Sequence, residues 1–230
     1  MRIECENECS LILPADLTGV NIDGVTQART YRGVEAPDRL AQRRRRFIDA
    51  GLDLLGGETA PDEVTVRAVC RRAGVAVRYF YESFADKDAF VAEVADSVTA
   101  ELAATTQAAV ASAPLPEQNR AGIANIVQTI AADPRIGRLL FSAHLSNAIV
   151  LRKRAEHGGL FAMLSGEHIQ TALRVGQNNR VKATAHFVVG GVTQTISAWL
   201  AGEIQMESSE LVEQLASILD GFADPTLYLS

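Results

Sequence analysis

Between Thr65 and Phe84 the chain reads TVRAVCRRAGVAVRYFYESF, and the single glycine of that stretch, Gly74, restricts what it can fold into. Before it, Val66, Val69, Cys70 and Ala73 recur at three- and four-residue intervals, the spacing of one buried helix face. A glycine after such a run marks a sharp turn, often through a left-handed backbone conformation that other residues enter at a cost. Beyond it, Arg78, Tyr79 and Tyr81 crowd onto a second short helix. Two short helices around a glycine turn, the second carrying a guanidinium and two phenols, are what a major-groove reading element requires. The guanidinium supplies donors for guanine edges and the hydroxyls reach phosphate oxygens.

The flanking residues extend the pattern. Pro37-Asp38 starts a helix in which Leu40, Arg44, Phe47, Ile48, Gly51, Leu54 and Leu55 keep helical spacing until Gly56-Gly57 stops it. GETAPDE is a loop, and Thr65 is placed to cap the next helix. After Phe84, a helix is expected over Asp86 to Ala111, ended by Pro114 and Pro116. Others are expected at about 117–132, 134–144, 147–175, 179–204 and 208–222. Strand patterning is nearly absent, so the expected class is all-α with roughly nine helices. Residues 1–36 mix Pro14, Gly19, Gly24 and Gly33 with short apolar pieces such as Leu11-Ile12-Leu13, and read as a poorly ordered tail.

A chain with 47% apolar and 22% charged residues has the composition of a globular protein, which excludes disorder throughout. Its net charge of -6 argues against nonspecific coating of nucleic acid, but the charge is uneven. Residues 1–36 carry -3, residues 37–90 carry +1 and residues 91–230 carry -4. The segment with the reading pattern is therefore the least acidic, and Arg43 to Arg46, Arg67, Arg71, Arg72 and Arg78 offer phosphates a local basic face. Only one or two of four consecutive helical residues face any one partner, so the Arg43–Arg46 run reads first as a solvated face.

Cys5, Cys9 and Cys70 are an odd count without a CxxC pair or a histidine cluster beside them, which fits a reducing cytoplasm better than a disulfide framework and argues against a metal; no cofactor is expected. The acidic N-terminus does not read as a secretory signal. Ala183 to Gly202 carries no charge, yet His186, Thr193, Gln194, Thr195 and Ser197 dilute its apolar character. It reads as a helix buried between its own domain and a partner subunit, and not as a membrane span.

FIDAGLDLL, then TVRAVCRRAGV, then RYFYESF followed by ADKDAFVAEV, resembles the N-terminal domain of TetR-type transcriptional regulators over about residues 38–95. The resemblance implies a three-helix helix-turn-helix DNA-binding domain at 37–84, and a helical ligand-binding and dimerisation domain at 85–230. It further implies a homodimer formed through about 179–204 and 208–222. Thr65 resembles the family's threonine opening the second helix, Tyr81 its recognition-helix tyrosine and Lys87 its lysine on the DNA backbone. Arg78, Tyr79 and Ser83 depart from the pattern, where small residues, threonine and histidine respectively are frequent. Those departures bear on specificity: Arg78 is the candidate base reader, and Tyr79 a candidate contact to phosphate or a thymine methyl. Phe80, Phe84 and Cys70 are expected in the core.

The expected function is that of a ligand-responsive homodimeric repressor of a near-palindromic double-stranded operator, cytoplasmic and without catalytic activity. Its effector, an unknown apolar small molecule, is expected among Phe141, His144, Phe161, Met163, His168, Phe187 and Trp199, an aromatic-rich set with a few polar groups. For each histidine alone the structural role is the better reading. A helical carboxylate-metal oxidase is the rival, but it needs Glu-x-x-His pairs and the chain has none. A sensor that has lost DNA binding is a third reading, opposed by Arg78, Tyr81 and Lys87.

Overall fold

The structure, a computed structural model, describes residues 36–58 and 64–229, with side chains from Arg39 onward. All of its regular elements are helical. Helix α1 (Ala36–Gly56) is followed by α2 (Val66–Ala73), α3 (Val77–Ser83) and the long α4 (Lys87–Ser112). A 3₁₀ turn at Leu115–Glu117 leads to α5 (Gln118–Ala132), α6 (Pro134–Phe141), α7 (Ala148–Leu173), α8 (Asn179–Leu200) and α9 (Ser208–Asp220). A last 3₁₀ turn spans Pro225–Tyr228. The tail expected at 1–36 lies outside the described residues apart from Ala36, as does most of the GETAPDE loop.

The first core gathers four phenylalanines from three helices and the α3–α4 junction: Phe47, Phe80, Phe84 and Phe90, with ring centroids 5.0–5.8 Å apart in edge-on or tilted pairs. Such pairs add about 0.5–1.5 kcal/mol each to the burial of their area. Phe80, Phe84 and Cys70 are buried, as expected of them. Gly51 lets α1 and α4 touch, because a Cβ there would stand 2.4 Å from Val94 and 2.7 Å from Phe90. Leu139 of α6 and Val150 of α7 are buried in the same cluster, so the first three helices share their core with the rest of the molecule. The second core joins Ile123, Val127 and Ile130 of α5 to Ile196 of α8 and to Leu211, Val212 and Leu215 of α9.

Two helices end three or more residues earlier than their spacing suggested. α6 stops at Phe141, not at 144, because the Arg154 guanidinium from α7 collects the carbonyls of Arg138, Leu139 and Ser142. α8 stops at Leu200, not at 204: Gly202 turns through φ 76°, and Trp199 donates its indole N–H to the Met206 carbonyl at 2.9 Å. The closing turn went unread although Asp224-Pro225 is a start signal, Asp224 accepting from the Thr226 N–H. Tyr228, buried there, donates to the Phe222 carbonyl at 2.8 Å.

Candidate nucleic-acid interface

The α2–turn–α3 unit is built by local rules. Thr65, an exposed residue, caps α2 by accepting from the Ala68 N–H at 3.2 Å. Gly74 closes α2 in the left-handed conformation, φ 63° and ψ 38°, a geometry that suits a residue without Cβ. Arg46 of α1 donates to the Gly74 carbonyl at 3.2 Å and so fixes the turn from behind. α3 then buries Phe80 and exposes Val77, Arg78, Tyr81 and Glu82. Tyr81 keeps 59% of its surface exposed. Lys87 is half-buried at the first position of α4, directly after Asp86, which caps that helix through the Ala89 N–H at 2.7 Å.

Tyr79 does not stand out from α3 as Tyr81 does. It is half-buried against the first core, with the Arg43 guanidinium 4.0 Å from its ring centroid and that of Arg78 at 4.5 Å. Its phenol oxygen accepts from Arg78 Nη2 at 2.6 Å. Arg43 is held in turn by Glu82 at 2.9 Å. Within the arginine run, Arg44 pairs with Glu93 at 2.6 Å, so Arg43, Arg44 and Arg46 each serve the protein's own packing. The reading of that run as simply solvated missed these tethers, whose partners lie tens of residues away.

A second set of charges ties α2 to α1 and α6. Asp53 of α1 accepts from Arg72 of α2 and from Arg135 of α6, both at 2.5 Å. Arg135 also reaches Asp49 and Asp133. Burial alone would raise the Asp53 pKa, but the two guanidiniums outweigh it and hold the carboxyl below its ordinary range. Hydrogen bonding to Arg135 does the same to Asp133, and these carboxylates raise the pKa of Arg135.

Residues 47–94, which span this unit from the middle of α1 into α4, match the family model of bacterial regulatory proteins of the tetR family. Over that span the chain is similar to the TetR family. The fold of the whole chain is shared with solved regulators of low sequence identity. The fatty acid degradation regulator FadR from Bacillus halodurans superposes with a TM-score of 0.66 at 16% identity, covering 78% of this chain and 95% of that one. FadR from Bacillus subtilis, solved in complex with stearoyl-CoA, gives 0.59 at 17% identity, with 76% and 96% covered. A TetR-family regulator from Streptomyces coelicolor gives 0.60 at 17% identity, with 80% and 87% covered. Among curated proteins none matches the chain.

Behind the TetR-type head, the seven residues expected around an effector do not form one cluster. Phe141 and Trp199 are half-buried together at the second core. Phe161 and His168 are half-buried on α7, whereas Met163 and His144 are exposed. Burial depresses the pKa of His168 below its ordinary 6.5. Phe187 projects from α8 with 66% of its surface exposed, edge-on to Phe222 at 5.8 Å. Two surface grooves, of about 450 and 720 Å³, are lined by none of the seven.

The outward face of α8 presents Ala183, Phe187, Gly190, Gly191 and Gln194, all exposed and uncharged. A Cβ at Gly190 or Gly191 would meet nothing within 4 Å. No helix among the described residues is long and apolar enough to cross a membrane.

Proposed function

We propose that this TetR-family protein is a homodimeric, ligand-responsive repressor that binds a near-palindromic operator through two copies of the α2–α3 unit. The observation that carries the reading is the outward face of α3. Arg78 and Tyr81 stand exposed there on a helix whose opposite side is anchored by buried Phe80, and the turn before it is held by Gly74 and Arg46. An exposed guanidinium on a rigid short helix suits bidentate pairing with guanine. Thr65 and Lys87, at the starts of α2 and α4, are assigned to phosphates, where a hydroxyl or an ammonium beside a helix N-terminus is effective.

Dimerisation is assigned to α8 with α9. The face of α8 around Gly190-Gly191 is uncharged, carries an exposed phenylalanine and admits close approach of another backbone, and Ile218 of α9 is exposed as well. Two-fold symmetry then sets the two reading helices one turn of DNA apart, about 34–36 Å. The effector is assigned to the helices behind the head, where Phe141, Phe161, His168 and Trp199 are partly buried. The likeness to FadR solved with stearoyl-CoA makes a long-chain acyl-CoA the first compound to test. An effector favouring a different head spacing lowers operator affinity through its preference for that state.

The test is an electrophoretic mobility assay with DNA from upstream of the protein's own and neighbouring genes, paired with sedimentation to give stoichiometry. Dimer-stoichiometry binding that acyl-CoA or another effector releases supports the proposal. A protein that stays monomeric and ignores these fragments at low ionic strength overturns it.

A further inference from the structure

We propose that Tyr79 is a positioning residue for base reading: it holds the Arg78 guanidinium in place and thereby sets selectivity at the base pair that Arg78 contacts. The inference rests on the reading that α3 faces DNA, and goes beyond it by moving Tyr79 from the set that touches DNA to the set that organises the reader. Adjacent residues on a helix point about 100° apart and do not face each other, so a contact between Arg78 and Tyr79 is not automatic. It is made here by Arg78 Nη2 donating to the phenol oxygen at 2.6 Å, with the guanidinium carbon 4.5 Å from the ring centroid.

The phenol is a firm anchor. Its ring packs against the first core, and Arg43 of α1 lies 4.0 Å from its centroid. Two cations beside one ring repel, and Glu82, bonded to Arg43 at 2.9 Å, offsets that repulsion. The result is a chain, Glu82–Arg43–Tyr79–Arg78, that runs from the exposed side of α3 through α1 and back to the reading position. A guanidinium has five N–H donors, and the one given to Tyr79 leaves four, enough for a bidentate pair with a base edge. An arginine already restrained in this way gives up less freedom on binding, so the bond to Tyr79 favours the base contact itself.

The experiment selects a preferred site from a pool of randomised double-stranded DNA with the full-length protein. It then measures, for wild type and variants, the ratio of affinities for that site and for each single-base change. Because the ratio compares two duplexes on one protein sample, partial loss of folded protein cancels. Arg78→Ala is expected to cut the preference at one base pair by roughly 10-fold or more. Tyr79→Phe, which keeps the ring and removes the acceptor, is expected to cut it at the same base pair by about 3- to 10-fold, and the double variant no further than Arg78→Ala alone. If Tyr79→Phe keeps the full preference while Arg78→Ala loses it, the positioning role is overturned and Arg78 as reader stands. If the loss from Tyr79→Phe adds to that from Arg78→Ala, Tyr79 acts on DNA independently and the inference is wrong. If Arg78→Ala changes no ratio, both the reader and its positioner fall, although selective binding by wild type would still support the repressor reading. If wild type selects no site, that reading fails and this one with it.

Discussion

At Gly74 the chain meets its most demanding backbone position, φ 63°, and the residue there can be tested alone. In a Gly74→Ala variant the added Cβ stands 2.9 Å from Arg46 Nη2, the movable end of a side chain, so steric crowding is the lesser effect. The left-handed conformation is the greater, at about 1–2 kcal/mol for a residue with a Cβ. Chemical denaturation is expected to show a loss of that size. Operator affinity, measured on protein that remains folded, should fall as well because the turn sets the angle between α2 and α3. Gly74 was legible in the sequence because its signal is local: the apolar spacing before it ends where the left-handed cap begins. The setting of Tyr79 was only half legible. Its neighbour Arg78 is adjacent in sequence, but Arg43 arrives from α1, and no period or motif announces a contact across 36 residues.

Between elements, one carboxylate does what the sequence did not disclose. Asp53 lies on α1 and accepts from Arg72 of α2 and Arg135 of α6, so three helices meet on a single side chain that is 17% exposed. Nothing in the residue pattern distinguishes Asp53 from an ordinary polar position of an amphipathic helix, because both partners are set by tertiary packing. Arg154 was hidden for the same reason: an arginine on α7 gives no sign that it will gather the carbonyls ending α6. Helix order and type were readable, since they follow from spacing and caps, whereas the end of α6 was set by Arg154 from another helix and that of α8 by the Gly202 turn and the Trp199 bond to Met206 just beyond it. Asp53→Ala is expected to destabilise the fold by about 1–3 kcal/mol near neutral pH, measured by denaturant unfolding. The folded chain holds the Asp53 carboxyl below its ordinary 3.8, so its contribution is complete above that value and disappears as pH falls through the lower folded one. The wild-type and variant curves should therefore converge in strong acid.

For the molecule as a whole, assembly and acidity offer two further tests. Phe187→Glu places a charge on the bare face of α8, and is expected to shift sedimentation from dimer to monomer and to weaken operator binding together with it. His168 is kept from its proton by burial, so the unfolded chain takes up a proton first as pH drops below about 6.5. Stability is expected to decline from that point toward the lower folded value, and a His168→Gln variant should lack that part of the decline. Two of the fastenings of α6 also differ in kind. Among the described residues Arg154 meets only backbone carbonyls, on a half-buried side chain, whereas Arg135 meets carboxylates nearer the surface. Dissolved ions compete with the second far more than with the first. Raising the ionic strength therefore weakens the carboxylate part of the hold of α6 on α1, while the Arg138 bond to the Gly56 carbonyl and the Arg154 bonds from α7 persist, so a salt titration of DNA affinity is expected to report that loosening as well as a count of phosphates.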